Sequence, residues 1–233
     1  MNLFYQPLIP EGNLYLDADE SKHSAKVLRK KNGDLIEITD GKGFLYHALI
    51  TKADIHQCHF EVREKIAVPS RNYHIHLAIS PTKNTDRLEW FVEKAVEFGV
   101  DEITLIECDH TERSHLKLER LEKLAISAMK QSLKFTLPPI SGPINLAEFI
   151  RNTTAAAKFI AYVDPENPLH LKNAAVPNSS YLVLIGPEGD FSNDELKLAQ
   201  ENNFQKVSLG SSRLRTETAG LAACHILNLV NTP

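Results

Sequence analysis

The first third of the chain alternates apolar and polar positions in the manner of short β-strands. Two strands flanking residues 40–43, where Asp, Gly, Lys and Gly form a strong hairpin signal, are predicted by DLIEITDGKGFLYHALI. A further strand is predicted by CHFEVREKI. A short helix is predicted by DADESKHSAKVLRKKNGD. It is expected to begin at Asp17 or Asp19 and to end near Gly33. Residues 1–66 therefore predict a small β-barrel or meander with one helix.

The pattern changes after AVPSRN, residues 67–72, where a proline and polar residues interrupt it. We place a domain boundary there, which gives domains at 1–68 and 72–233. Beyond it, apolar runs of strand length alternate with segments of helical period. The predicted strands are YHIHLAIS, EITLIEC, KFIAYVD, YLVLI and KVSLG. The predicted helices are TDRLEWFVEKAVEFG, LKLERLEKLAISAMKQSL, LAEFIRNT, SNDELKLAQENN and ETAGLAACHILNLV.

Such alternation predicts an α/β fold, a mostly parallel sheet with helices on both of its faces. The first of these helices has a clear apolar face, formed by Leu88, Phe91, Val92, Ala95, Val96 and Phe98. Its end is marked by Gly99. The single tryptophan, Trp90, lies on the same helix and is expected in the core or in an interface.

Composition narrows the class of protein. The chain has 233 residues, of which 42% are hydrophobic and 24% charged, and no long apolar run that predicts a membrane span. Its first residues lack the features of a secretory signal. Cys58, Cys108 and Cys224 are widely spaced and odd in number, which argues against a disulfide framework and favours a reducing cytoplasm. A net charge of −4 means that any contact with nucleic acid depends on local basic patches.

The loop within YLVLIGPEGDFSNDEL follows an apolar strand and precedes a helix. Gly186 and Gly189 carry no side chain, and Pro187 has a fixed φ, so the loop can offer backbone groups to a flat, polar ligand such as adenine. Ser192 and Glu195 form the pattern of a capping box at the start of the helix. The glycine patterns of phosphate-binding loops do not occur. The alternative interpretation is a tight turn without a ligand.

A second unusual loop occurs in VSLGSSRLRTETAGLAA, residues 207–223. It carries Arg213 and Arg215 and leads into a helix near Thr216. Small residues let this helix approach another surface closely: Ala219, Gly220, Ala222 and Ala223. Taken alone, the loop fits a solvated connection to a packed helix equally well. Because ligands of open α/β sheets bind at the carboxyl ends of strands, two such loops together favour a binding site.

IGPEGDFSNDE and LGSSRLRTETA together resemble the signature pair of the bacterial 16S ribosomal RNA (uracil-N3) methyltransferases, the RsmE family of the SPOUT class. HSAKVLRKKNGD and DGKG are similar to the family's N-terminal PUA-like RNA-binding domain, and KNTDRLEWFVEKAVEFGVDEI is similar to the first helix of its methyltransferase domain. The pairs Arg113-Ser114 and Gln131-Ser132 also match the family, while Asp190, SSR at 211–213 and Lys130 depart from it. Asp190 replaces a usual glycine, and aspartate tolerates the positive φ that a glycine there would suggest.

The resemblance implies a fold and a cofactor. The C-terminal part of the sheet would form a deep trefoil knot, an exception to the rule against threaded chains. S-adenosylmethionine would bind there, held by backbone groups of the loops after FIAYVD, LVLIG and VSLG. The resemblance also implies a homodimer formed in part by the terminal helix. The cofactor-binding residues would be Leu184, Ile185, Gly186, Pro187, Glu188, Gly189, Leu209, Gly210, Leu214, Thr216 and Ala219.

The implied reaction is methylation of N3 of a specific uridine in 16S ribosomal RNA, which needs no metal. The protein would position the reactants and help to remove the N3 proton. Arg215 and Arg213 are the candidates that orient the uridine and stabilise its anion, and Glu217 or Glu188 is the candidate base. Glu217 is more simply explained as a first-turn acid favoured by the helix dipole. N3 lies on the pairing edge, so the base must be unpaired or flipped out.

A basic run in the N-terminal part supplies the candidate RNA-binding residues, Lys22, His23, Lys26 and Arg29, with Arg113 as a further candidate. By pattern alone such a run is commonly a solvated helix face. The pairs His56 and His59, and His74 and His76, have no third ligand at a metal-site spacing, so we expect no metal.

Two alternatives stay open at this stage. One is a non-catalytic RNA-binding or ribosome-assembly factor. The other is a methyltransferase of the same fold that acts on another position, a ribose 2′-oxygen or a guanine of transfer RNA. The expected partner is 16S ribosomal RNA in the small subunit, without a membrane.

Overall fold

The computed structural model describes residues 2–112, 116–163 and 169–232. Contacts between Cα atoms divide the chain into two compact units. The first comprises Met1–Ser70 together with Ile126–Leu137, and the second comprises Arg71–Ala125 together with Pro138–Pro233. The strands are β1 Leu3–Tyr5, β2 Leu35–Thr39, β3 Phe44–Lys52, β4 His59–Ala67, β5 His74–Ile79, β6 Glu102–Glu107, β7 Ile140–Asn145, β8 Ala157–Ala161, β9 Ser180–Ile185 and β10 Gln205–Val207. The α-helices are α1 Ala18–Lys22, α2 Thr85–Phe98, α3 Leu118–Gln131, α4 Leu146–Asn152, α5 Leu171–Ala174, α6 Asn193–Glu201 and α7 Thr216–Val230.

The first unit contains a four-stranded sheet in the order β1-β2-β3-β4. The predicted hairpin is confirmed: β2 and β3 pair antiparallel, and Asp40 Oδ1 accepts a hydrogen bond from the Lys42 amide at 2.8 Å within the turn. β1, which the sequence pattern did not predict, pairs parallel to β2. Alternate side chains of the strands form one apolar cluster, which includes Phe4, Ile36, Ile38, Tyr46, Ala48, Ile50 and Phe60.

The predicted helix of the first unit is shorter than expected. Asp17 caps it, accepting from the Glu20 amide at 2.8 Å. After α1 the helix continues as a π-helical turn, His23–Val27. It does not extend further because Arg29 has a φ of 55°, outside the helical region. The expected end near Gly33 was therefore wrong. Gly33 also has a positive φ, but its amide donates to Ile50 O at 2.8 Å and so belongs to the connection into the sheet.

The second unit contains a six-stranded sheet in the order β10-β8-β9-β5-β6-β7. Every neighbouring pair in it is parallel, which confirms the predicted parallel sheet. β7 was not predicted, because Gly142 and Pro143 interrupt its sequence. Its position at the edge of the sheet explains why a proline is tolerated there.

Helices pack on both faces of this sheet. On one face Ala78, Leu182 and Leu184 share a buried cluster with α4 and α6. On the other face α2 and α7 cross so closely that a Cβ atom on Gly220 would lie 2.5 Å from Phe91 Cε2 and 3.2 Å from Ile79 Cδ1. The small residues of α7 therefore permit the close approach that the sequence predicted.

Two aromatic residues of α2 lie outside the core of the second unit. Phe98, predicted on the buried face, is 42% exposed and stacks against His225 of α7 at 5.1 Å between ring centroids. Trp90 is 45% exposed. Within the described parts of the chain, no helix has both the length and the apolar character needed to cross a membrane.

Candidate active site

The loop after β9 is a rigid turn fixed from two sides. The Asp190 amide donates to Pro187 O at 3.0 Å, and Thr216 Oγ1 at the start of α7 donates to Gly186 O at 3.0 Å. Ser192 and Glu195 form the predicted capping box at the start of α6. Asp190 has a φ of 65°, the left-handed conformation that the replaced glycine suggested. The turn therefore leads the chain directly from the sheet into α6.

The two glycines of this loop pack closely against protein side chains. A Cβ atom on Gly186 would lie 3.0 Å from Phe191 Cε2, and one on Gly189 would lie 3.0 Å from His110 Cβ. The sequence interpretation had assigned the missing side chains to the approach of a ligand. The structure gives a more direct reason, since neighbouring side chains fill that space.

The loop after β10 is held by backbone hydrogen bonds to the segment before α5. The Ser208 amide donates to Leu169 O at 2.8 Å, and the Leu171 amide donates to Ser208 O at 2.9 Å. Gly210 has a φ of 131°, a conformation that only glycine adopts readily. Among the described residues other than its two chain neighbours, none has an atom within 4 Å of the position of a Cβ there, so its conformation and not crowding explains this glycine.

These loops enclose a cavity of about 690 Å³ at the carboxyl ends of β8, β9 and β10. We call it the three-loop cavity; its walls come from 161–163, 185–188, 190, 208–216 and 219, with Arg87 of α2. Nine of the eleven residues expected to bind a cofactor line it: Ile185, Gly186, Pro187, Glu188, Leu209, Gly210, Leu214, Thr216 and Ala219. Leu184 is instead fully buried in the core cluster, and Gly189 faces His110.

Both cations and carboxylates line the three-loop cavity. The expected catalytic residues Arg213 and Arg215 contribute guanidinium groups from the loop, and Glu188 and Asp190 contribute carboxylates. Burial raises the pKa of Asp190, while the Phe191 amide, which donates to its carboxylate at 2.9 Å, and the charge of Arg213 oppose that shift. The cavity can therefore bind a ligand that carries both signs of charge.

Glu217, the other expected catalytic residue, does not line the cavity. Its side chain is 8% exposed and points its Oε1 toward Arg87, with 3.9 Å between Oε1 and the Arg87 Nε. Among the described residues, Oε2 of Glu217 has no hydrogen-bond partner although it is buried. A buried carboxylate with one unsatisfied oxygen is costly and calls for an explanation.

Comparison with known proteins identifies the protein family of two parts of the chain. Residues 69–228 match the family described as RNA methyltransferase domain, and residues 16–63 match the RNA methyltransferase PUA domain. This chain belongs to the RNA methyltransferase family. The resemblance in its loop motifs is thereby confirmed.

Named relatives are similar in sequence to this RNA methyltransferase over nearly its whole length. The ribosomal RNA small subunit methyltransferase E of Buchnera aphidicola is 31% identical over 217 residues, which are 90% of this chain and 85% of the relative. A crystal structure of a probable rRNA-methyltransferase from Porphyromonas gingivalis is 44% identical, with a TM-score of 0.94 over 99% of this chain and 98% of the other.

A third relative carries a ligand. The ribosomal RNA small subunit methyltransferase E of Neisseria gonorrhoeae, whose structure is bound to S-adenosyl methionine, is 27% identical. Its TM-score is 0.83 over 99% of this chain and 98% of that one.

The candidate RNA-binding residues of the methyltransferase lie in its first unit. Lys22 of α1, His23 and Lys26 of the π-helical turn, and Arg29 just after that turn are all exposed. Arg113 lies outside the described residues. The segment is anchored by Lys130 of α3, whose Nζ hydrogen-bonds Glu20 Oε1 of α1. That contact gives Lys130 the role that its departure from the family pattern left open.

The histidines have structural partners. His76 Nε2 lies 2.8 Å from Thr104 Oγ1, and its ring meets Phe149 edge-on at 5.7 Å. Burial lowers the pKa of His76 to about 4. Among the described residues of the methyltransferase, no group of three or more His, Cys, Asp or Glu side chains is placed to hold a metal ion.

Sequence reasoning missed several residues of the cavity. Ala161 ends β8, and Tyr162 and Val163 follow it, within the FIAYVD stretch that precedes the loop indicated by the family resemblance. Residues 165–168 of that loop lie outside the described residues. Ser208, Ser211 and Ser212 lie in the loop after β10. Arg87 comes from the first turn of α2, and no local signal could have placed a helical arginine at this cavity.

Proposed function

We propose that this RNA methyltransferase binds S-adenosylmethionine in the three-loop cavity and methylates N3 of a uridine in 16S ribosomal RNA of the small subunit. The observation that carries the proposal is the cavity itself, which is lined by two of the loops expected to hold the donor, after β9 and β10, and by residues 161–163 at the end of β8. Residues 165–168 of the third expected loop, after FIAYVD, lie outside the described residues. Support comes from the relative of Neisseria gonorrhoeae, which has the same fold and is bound to S-adenosyl methionine.

The residues of the cavity fit this donor. Ile185, Leu209 and Leu214 offer apolar surface to a flat ring, and the backbone of Gly186 and Gly210 is accessible to its polar edge. Glu188 and Asp190 can pair with the cationic groups of the donor, and the hydroxyl groups of Ser211 and Ser212 can donate to its carboxylate. A volume of about 690 Å³ lies within the range of small-molecule sites.

When bound, the donor supplies an electrophilic methyl group. The chain must present uracil N3 in line with that group and must favour the loss of the N3 proton. Arg215 and Arg213 line the cavity, so they are placed to orient the uridine and to stabilise negative charge on its ring. Because N3 is on the pairing edge, the uridine has to enter the cavity unpaired.

Donor binding and methyl transfer can be tested separately. Calorimetry should detect binding of S-adenosylmethionine to the wild-type protein, and labelled donor should transfer its methyl group to small subunits from a strain lacking the modification. Arg215→Ala should lower the transfer rate far more than donor affinity, whereas Arg151→Ala, an exposed arginine at the end of α4, should change neither. Wild-type protein that binds no donor would refute the proposal.

The basic segment of the first unit is the proposed RNA contact. Lys22 in α1, Lys26 in the π-helical turn and Arg29 just after that turn are all exposed. Reversal of Lys26 and Arg29 to Glu should weaken RNA binding and flatten its dependence on salt, because fewer counterions are released. The matched control is Lys172→Glu, an exposed lysine of the second unit, which should leave the salt slope unchanged.

Two finer features, the chain topology and the oligomeric state, belong to the same proposal. A C-terminal trefoil knot is supported by the hydrogen bonds that tie Ser208 to Leu169 and Leu171, and an experimental chain trace would test it. A homodimer is supported by the exposed apolar side chains of α2 and α7, Trp90, Phe98 and Leu229. Light scattering that gives the mass of one chain would refute the dimer.

The limits of the domains and the location in the cell also stay proposals. We retain 1–68 for the PUA-like RNA-binding domain and 72–233 for the methyltransferase domain. A cytoplasmic location is supported by three buried cysteines that form no disulfide in the described structure, Cys58, Cys108 and Cys224. Limited proteolysis would test the domain limits, and cell fractionation would test the location.

A further inference from the structure

Arg87 is a third guanidinium on the wall of the three-loop cavity, and it comes from a helix. Arg213 and Arg215 lie in or at the end of the loop after β10, whereas Arg87 is in the first turn of α2. The neighbouring residues Leu88 and Phe91 are fully buried, so the backbone that carries Arg87 is fixed on the sheet. Its side chain is 38% exposed and available to a ligand.

The carboxylate of Glu217 lies next to the guanidinium group of Arg87. The 3.9 Å between Arg87 Nε and Glu217 Oε1 is within the range of an ion pair and beyond that of a hydrogen bond. In the part of the chain that the structure describes, Oε2 of Glu217 has no partner. Because a buried carboxylate is costly without a nearby cation, the two side chains stabilise each other. The nearest guanidinium atom is Nε, which leaves the two terminal nitrogens of Arg87 for a ligand.

We propose that Arg87 contacts an anionic oxygen of the target nucleotide, and that Glu217 is a positioning residue that holds this guanidinium at the cavity wall. The inference rests on the proposed function. The anionic oxygen belongs either to a phosphate of the target nucleotide or to a carbonyl of the uracil ring after N3 loses its proton. A guanidinium suits both, because its planar set of N–H donors pairs with adjacent oxygen acceptors. Glu217 then acts through Arg87 and does not take the N3 proton.

The test uses the full-length protein and kinetics with small ribosomal subunits. Arg87→Ala should lower kcat/KM by roughly 100-fold, the effect of removing one preorganised donor, and leave the Kd for S-adenosylmethionine within about twofold. Arg87→Lys should recover part of the loss. Glu217→Gln should also lower kcat/KM, and the double variant should be no worse than Arg87→Ala, because the two residues act as one unit. Arg120→Ala, an exposed arginine that pairs with Glu89 of α2, is the matched control.

The kinetic parameters separate the two sources of the anionic oxygen. A contact to phosphate raises KM with little change in kcat, whereas a contact to the ring lowers kcat and shifts its pH profile. Arg87→Ala with wild-type kinetics, or an additive double variant, would overturn the inference. A large loss of activity in Glu217→Gln beside a small one in Arg87→Ala would restore Glu217 as a base. Wild-type protein that neither binds donor nor transfers methyl would instead overturn the proposed function.

Discussion

Removal of Lys130 is expected to destabilise the first unit in a pH-dependent manner. Its Nζ bonds Glu20 Oε1, and the two side chains are 24% and 9% exposed. Lys130→Met would leave the Glu20 carboxylate buried without its cation, and its Oε2 already has no partner among the described residues. Breaking a buried pair costs about 3–5 kcal/mol. Because Lys130 is partly exposed and Glu20 can take up a proton, we expect a loss of about 2 kcal/mol at pH 8.

The sign of the pH dependence follows from the cause of the pKa shift. Burial raises the pKa of Glu20 from its ordinary value of 4.5, and the hydrogen bond and charge of Lys130 are the main opposing effects. An acid with a raised pKa contributes stability that is complete below its unfolded pKa and is lost as the pH rises through the folded one. Lys130→Met raises that pKa further, so its stability deficit relative to wild type should grow between pH 5 and pH 8.

Equilibrium urea denaturation at both pH values measures this deficit. Lys123→Met, an exposed lysine on the same helix, is the control and should stay within about 0.5 kcal/mol of wild type. The double variant Glu20→Gln with Lys130→Met removes both charges and should regain most of the stability. A deficit that matches the control, or that is equal at pH 5 and pH 8, would refute the assignment of this pair.

Three further perturbations test other parts of the structure. Gly220→Val places atoms where Phe91 already lies and should lower the free energy of unfolding by about 1–3 kcal/mol in urea; an unchanged midpoint would contradict the close crossing of α2 and α7. Asp190→Gly should keep the thermal midpoint of the wild type. Asp190→Val should lower the free energy of unfolding by about 1 kcal/mol or more, and so lower the thermal midpoint, because a β-branched residue is strained at a φ of 65°. Charge reversal at Lys26 and Arg29 should reduce the salt slope of RNA binding by about one for each phosphate that the protein no longer neutralises, and an unchanged slope would exclude these residues from the interface.

Local signals predicted most of the second unit and failed where the packing partners are distant in sequence. Strand and helix periods gave the parallel sheet, and Ser192 with Glu195 gave the start of α6. β7 was missed because a proline in the sequence argues against a strand, and only its place at the sheet edge permits it. Residues 126–137 belong to the first unit although they are distant from it in sequence, and no local sequence pattern predicted this grouping.

The parts of the candidate site that depend on the backbone of its loops were predictable, because particular residue types mark such loops in the sequence. Glycine, proline and serine at strand ends marked the loops after β9 and β10, and most expected residues line the cavity. The reason for Gly186 and Gly189 was not predictable, since it depends on where Phe191 and His110 pack. Arg87 was missed for the same reason: a helical arginine reaches the cavity only because α2 is packed where it is.

The central claim is that the three-loop cavity delivers a methyl group to uridine N3. The most direct measurement incubates purified protein and S-adenosylmethionine carrying a deuterated methyl group with small subunits that lack the modification, then analyses the nucleosides of the 16S ribosomal RNA by mass spectrometry. We predict label in 3-methyluridine with wild-type protein and a much lower rate of labelling with Arg215→Ala. Label in a ribose or in another base, or no label with a protein that binds the donor, would contradict it.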